Sequence, residues 1–144
     1  MKIRIRKAAK KDLTKILNLF NSSSNLTGDD KLHYKKYHIK EYIEGPIFNT
    51  YIAEINKEIA GVILIIIFKK AKYLFIENLI VKEDFRKQGI GSKLIGHVES
   101  LAKKYKIKLI YFYSEENNTI IKNFSENNRF KKAKKFCFFW KEIK

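Results

Sequence analysis

Arg86-Lys87-Gln88-Gly89-Ile90-Gly91 combine two glycines with two full positive charges, and Ser92 and Lys93 follow at once. Glycine lets a backbone turn tightly and approach a ligand with no Cβ in between. The run opens a segment of helical periodicity, and a helix start leaves N–H groups without intrahelical acceptors at the positive end of the macrodipole. Where a strand feeds a glycine turn and then a helix, the result is an anion cradle. Arg86, Lys87 and Lys93 ring this one with charge. The chemistry expected here is binding of a phosphate-bearing ligand.

Spacing narrows the ligand. A nucleotide-binding P-loop ends in Gly-Lys-Ser/Thr, whereas Ser92 and Lys93 come in the reverse order after Gly91, so that pattern fails. A dinucleotide fingerprint needs a further glycine where Leu94 stands. Glu77 is the second residue of interest, a carboxylate inside the apolar run Ile76-Glu77-Asn78-Leu79-Ile80-Val81. Burying such a group is costly. It serves either as a functional acid–base group or as a strand-face partner of a lysine. His33 and His38 are too poorly spaced, and too short of paired carboxylates, to suggest a metal site, so none is expected.

The elements that must position these residues can be read from periodicity. Residues 73–81 read as a strand, and residues 89–105 as a helix with Ile90, Leu94, Ile95, Val98, Leu101, Ala102 and Tyr105 on one face. Upstream, a strand at 3–6 precedes a helix at 11–22 carrying Leu13, Ile16, Leu17 and Phe20. A polar breaker at 21–25 leads to a second helix at 30–44, stopped by Gly45-Pro46. Strands at 51–55 and 59–67 flank a hairpin turn at Asn56-Lys57-Glu58, and the apolar 62–68 stretch suits a strand covered on both faces. Residues 107–114 read as another strand and 118–127 as a short helix with Ile120, Ile121 and Phe124 inward. The final stretch, 130–143, reads as two strands, a basic edge and then Phe136-Cys137-Phe138-Phe139-Trp140 with Cys137 in the core.

The string from Ile76 to Val81, followed by Phe85-Arg86-Lys87-Gln88-Gly89-Ile90-Gly91-Ser92-Lys93-Leu94, resembles the central motif of the GNAT superfamily of N-acetyltransferases. The element order β-α-α-β-β-β-α-β-α-β-β is similar to that family's layout along the whole chain. The resemblance implies an α/β (α+β) single domain over residues 1–144. Its mixed central sheet would have six to seven strands, a splayed parallel pair and helices on both faces. It implies acetyl-CoA as cofactor, with Arg86, Lys87, Gln88, Gly89, Ile90, Gly91 and Ser92 at the pyrophosphate. Leu79, Ile80 and Val81 would pair with the pantetheine, and an N–H of Ile80 or Val81 would hold the oxyanion. Glu77 aligns with a glutamate that often acts as general base, which an amine acceptor needs because amines are mostly protonated at neutral pH.

A second string, Asn118-x-x-Ile121-x-x-Phe124-Ser125-Glu126-Asn127-Asn128-Arg129-Phe130, resembles a downstream family motif. It places Asn118 on the pantetheine arm, although a helix cap explains the same residue. Ser125 stands where the family commonly has the tyrosine that protonates the leaving thiolate, so Ser125, Tyr111, Tyr113 or water is left for that role. Arg129 replaces a glycine, which suggests an altered helix exit. His33, Tyr34, Tyr37, His38 and Tyr42 fall where the family builds its acceptor site, and they line either an amine pocket or an ordinary half-buried helix face.

Composition bounds the rest. With 144 residues, 45% hydrophobic and 14% aromatic, the chain suits one globular domain. The lone Cys137 leaves no internal disulfide and fits a reducing, cytoplasmic setting. The alternating first residues read as a strand and not a signal peptide, and the longest apolar run, 60–68, is about half a membrane helix. The net charge of +16 comes mainly from lysine, since only Arg4, Arg6, Arg86 and Arg129 are arginine. Arginine dominates base recognition, so a solvated basic surface is expected and a nucleic-acid-binding domain is the lesser alternative. The expected partner is a small-molecule or peptide amine, with the chain a monomer or homodimer. A GNAT fold that binds acyl-CoA as a sensor without turnover is the other alternative.

Overall fold

The computed structural model describes residues 1–23, 33–135, 137, 139 and 141–143. Contacts divide the chain into two compact units, Met1–Tyr113 and Ser114–Lys144. The first holds a five-stranded sheet in the order β1-β2-β3-β4-β5, with β1 Arg4–Lys7, β2 Phe48–Ile55, β3 Glu58–Phe68, β4 Tyr73–Val81 and β5 Leu109–Tyr111. β1 to β4 pair antiparallel, and β5 joins β4 in parallel. Asn56 and Lys57 form the β2–β3 turn with φ of 49° and 66°, the left-handed pair that a two-residue hairpin requires.

Helices cover both faces. α1 (Leu13–Ser22) and α2 (Lys36–Glu44) lie on one face, where Ile16, Leu19, Phe20 and Ile39 bury with Ile52, Ile59, Val62 and Ile80. α3 (Ile90–Lys104) lies on the other, burying Ile90, Leu94, Ile95, Val98 and Ala102. Gly61 sets how close α3 comes: a Cβ there would sit 3.0 Å from the Ile80 carbonyl and 3.1 Å from Ile90 Cγ2. The central strand β3 is buried continuously from Ile59 to Ile65, as its unbroken apolar run predicts. Arg6 ties the first strand to its neighbours through a bidentate pair with Asp12 (2.8 and 2.9 Å) and a bond to Glu54 at 2.8 Å.

β4 and β5 pair only through Tyr73, Leu74 and Phe75 against Leu109, Ile110 and Tyr111. Beyond that point β4 runs on to Val81 with β3 on one side only, so the expected splayed parallel pair is present. In the second unit, α4 (Thr119–Asn127) is capped by Asn118, whose Oδ1 accepts the Ile121 N–H at 3.0 Å.

Several expectations need correction, among them Ile120, expected inward and found 79% exposed. Among the described residues the sheet has five strands, not six or seven, and no strand follows Tyr111. Phe136, Phe138 and Trp140 lie outside the described residues, while Cys137 is exposed and belongs to no strand. Helix α2 begins at Lys36, and the earlier part of the expected helix, residues 30–32, falls outside the described residues.

Candidate active site

The expected phosphate cradle is built mostly from backbone. After Val81 the chain makes a 3-10 turn at Glu83–Phe85, and Lys87 (φ 59°) and Gly89 (φ 78°) take left-handed conformations before α3 starts. Gly89 is the N-cap, and a Cβ built on it meets nothing within 4 Å, so the space in front of these amides is open. Side chains stiffen the approach: Arg86 Nε donates to the Val81 carbonyl at 3.2 Å, and Gln88 Nε2 to the Asp84 carbonyl at 3.0 Å. Arg86, Lys87, Gln88, Gly89 and Ser92 are exposed, while Ile90 and Gly91 bury against the sheet as the anchor of the turn. Open donors, a helix dipole and adjacent cations suit a diphosphate. The unpaired edge of β4 at Leu79, Ile80 and Val81 leads directly into this loop, and buried backbone groups on such an edge need a partner.

β4 is not a regular strand. Leu64 pairs with Asn78 and Ile65 with Ile76, so Glu77 is the extra residue of a β-bulge. Strict alternation places Glu77 with Leu79 and Val81. The bulge breaks that grouping: Leu79 and Val81 pair with Ile63 and Gly61 on the α3 face, while Asn78 and Ile80 share the α1/α2 face with Glu77. A bulge re-aims side chains at a functional edge. Here it brings a carboxylate and an amide to one place.

The groups facing Glu77 come from α2 and the residues just before it. Burial and the negative charge of Glu77 raise the Tyr34 hydroxyl above its ordinary range, and a hydrogen bond from Asn78 opposes this. Tyr42 is raised by burial, with Tyr34 and Glu77 adding to the effect. Glu77 itself is solvent-accessible, yet desolvation by its surroundings holds its carboxyl above the ordinary value. Tyr34 is fixed by Asn21, whose side chain donates to the Tyr34 carbonyl at 3.0 Å and accepts its N–H at 2.8 Å. The C-terminal end of α2 is held by the Thr50 hydroxyl, which donates to the Tyr42 carbonyl. Of the five His and Tyr residues expected around an acceptor site, these two tyrosines face Glu77. Tyr37 is 67% exposed and His33 is exposed. His38 spends Nδ1 accepting the Lys35 N–H as a helix cap.

Asn78 and Asn21 escaped sequence reasoning. Asn78 reads as one more strand residue until the bulge is known, and Asn21 reads as a helix breaker. In the second unit, the Ser125 hydroxyl donates to the Ile121 carbonyl at 2.6 Å, which occupies its proton. Arg129 takes a φ of 62°, and Phe130 N–H bonds to the Ser125 carbonyl at 2.9 Å. The helix therefore makes the left-handed exit that a glycine favours, and the altered exit suggested by Arg129 does not occur.

Comparison with known proteins supplies independent evidence. The model of the Acetyltransferase (GNAT) family matches residues 11–127. The structure is similar to that of the aminoglycoside acetyltransferase AAC(6')-Iy bound to a bisubstrate CoA analogue, with a TM-score of 0.83 at 18% identity over 99% of this chain and 100% of that one. AAC(6')-Ih from Acinetobacter baumannii superposes with a TM-score of 0.80 at 18% identity, covering 99% and 100% of the two chains. A possible acetyltransferase from Clostridium difficile 630 gives 0.81 at 16% identity, with both chains covered fully (100%). Among the described residues, no helix is long and apolar enough to cross a membrane.

Proposed function

The chain belongs to the Acetyltransferase (GNAT) family of N-acetyltransferases, whose acyl donor is acetyl-CoA, and from that premise we propose that it acetylates a primary amine by direct attack within a ternary complex. The bulge that presents Glu77 beside an unpaired strand edge carries this reading. The reading treats residues 1–144 as one catalytic domain.

When bound, acetyl-CoA supplies an activated acyl group. Arg86, Lys87, Gln88, Gly89, Ile90, Gly91 and Ser92 would hold its diphosphate, the exposed amides by hydrogen bonds and the cations by charge. Leu79, Ile80 and Val81 would offer main-chain groups to the pantetheine as a neighbouring strand does, and an N–H of Ile80 or Val81 would stabilise developing negative charge on the carbonyl oxygen. Asn118, already capping α4, is assigned to the arm through its motif. Glu77 takes the proton from the incoming ammonium, and its raised pKa brings it nearer to that task at neutral pH.

A second reading, an acyl-CoA-binding protein without turnover, is favoured by one observation: the Ser125 proton is already engaged by Ile121. Calorimetric titration with acetyl-CoA tests the shared premise, and heat at micromolar concentration is expected. Comparing free-thiol release by wild type and Glu77→Gln across an amine panel separates the two readings. Equal slow release by both proteins favours the sensor.

A further inference from the structure

Acetyl transfer alone does not account for the side chains around Glu77. Two sets of rings approach this carboxylate on one face of the sheet. From the helix side, Tyr34 and Tyr42 stand 6.4 Å apart between ring centres, and Phe48 extends them at 5.0 Å from Tyr42. From the strand side, Phe75 precedes Glu77 by two positions on the same face, about 7 Å away along the strand. The Phe75 ring lies 5.1 Å from Tyr111 and 5.7 Å from Tyr113. Phe75 and Tyr111 are half-buried and Tyr113 is 70% exposed, so these ring faces are open to a ligand.

Among the described residues, burial and no neighbouring charge shifts this carboxylate. The other acidic side chains of α2 are turned to different tasks: Glu44 lies 3.9 Å from Lys40, and Glu41 folds against Gly45. Glu77 is the negative group whose field reaches Tyr34 and Tyr42. The chain as a whole carries a net charge of +16. A ligand with several ammonium groups would gain one favourable partner here and meet repulsion from the rest of the surface. A ligand with one ammonium and a flat apolar body would satisfy the carboxylate and place its ring against aromatic edges and faces.

Resting on the acetyltransferase reading, we infer that the acceptor is a monoamine with an aromatic body, its ammonium directed to Glu77 and its ring packed on Phe75 and its neighbours. In the reaction the ammonium gives one proton to Glu77, and its nitrogen forms the N–C bond as the C–S bond breaks. The second proton goes to the departing sulfur, and Glu77 returns the first to solvent. An amide, a free thiol and one released proton balance the step. The polycationic acceptors named for the structurally similar aminoglycoside enzymes are the contrasting class.

The experiment measures thiol release from acetyl-CoA with phenethylamine, hexylamine, spermidine and kanamycin. Phenethylamine is expected to exceed spermidine and kanamycin in kcat/KM by about tenfold or more, and hexylamine to fall between them. Phe75→Leu, which keeps an apolar side chain, should raise KM for phenethylamine about tenfold with kcat within about twofold. Tyr113→Ala, at an exposed position that folding does not depend on, should shift KM in the same direction by a smaller factor. Polyamine turnover equal to or faster than that of phenethylamine overturns the inference, as does an unchanged KM in both variants. If acetyl-CoA binds by calorimetry and no aromatic amine reacts, the inference falls while the family reading stands. If acetyl-CoA gives no heat, both fall.

Discussion

At the N-terminal end of α3, a ligand would meet amides of consecutive residues and a glycine whose missing side chain leaves room. At Glu77, a ligand would meet side chains brought together by α2, by Tyr34 ahead of it and by β4. The first region is specified locally, because main-chain donors are supplied by any sequence that can make the turn. The second depends on tertiary packing: moving any one element changes which groups share the cleft. The cradle should therefore tolerate change everywhere except at its left-handed turn, whereas the cleft should be sensitive at each facing side chain.

Substituting Gly89 by Asp breaks one side of this comparison. An L-residue at a φ of 78° is strained, and its carboxylate would face the diphosphate. Acetyl-CoA affinity measured by calorimetry should fall by about 100-fold or more, given about 1–2 kcal/mol of strain plus like-charge repulsion. Glu77→Gln breaks the other side. Acetyl-CoA affinity should hold while kcat/KM drops roughly 100-fold to 10,000-fold. Loss of acetyl-CoA affinity in the second variant would show that the two regions are not independent.

Acidity sharpens the contrast further. The folded protein holds the Glu77 proton more tightly than the unfolded chain does, so this group favours folding below the ordinary carboxylate pKa and loses that contribution as pH rises through the folded value. At neutral pH the ionised carboxylate costs stability, and Glu77→Gln should melt at a higher temperature than wild type. The acid limb of kcat/KM should rise with pH above the usual carboxylate range and flatten in the variant.

Arg129 tests the backbone principle away from the site. It takes a φ of 62° with a side chain that nothing in the described structure requires there. Arg129→Gly should stabilise the protein by about 1 kcal/mol in urea unfolding. The smallest effect belongs to His97, whose ring packs at a tilt against Tyr51 with 4.5 Å between ring centres. Burial lowers its pKa and leaves Nε2 without a hydrogen-bond partner. The unfolded chain then binds a proton that the folded protein resists, so melting temperature should fall as pH drops below about 6.5. His97→Phe should flatten that slope without touching the acid limb of activity.

The strand, glycine turn and helix start around Gly89 were legible in the sequence, because residue type, order and spacing all lie within one short segment. The sequence also singled out Glu77, since a carboxylate in an apolar strand is conspicuous. Alternation groups Glu77 with Phe75, Leu79 and Val81, and of these only Phe75 shares its face. Such grouping assumes an unbroken pairing register, and the bulge opposite Leu64 and Ile65 breaks it. Tyr34, Tyr37 and Tyr42 are equivalent by type, and only the hold of Asn21 on Tyr34 and of Thr50 on the end of α2 tells which of them turn toward the sheet. The expected basic edge at the start of the tail forms no strand among the described residues, since a strand is a relation between segments and composition describes only one of them.

The bulge also leaves a signature that needs no ligand to detect. Along β4, even-numbered positions up to Ile76 face α3, and from Asn78 onward that orientation passes to the odd-numbered ones. Saturation mutagenesis of residues 73–81, scored only for abundance in cells, should show odd–even intolerance that reverses phase at position 77. Deleting that single codon would splice the two phases into one continuous stripe and close the kink, giving a smoother sheet with no reason to stay open.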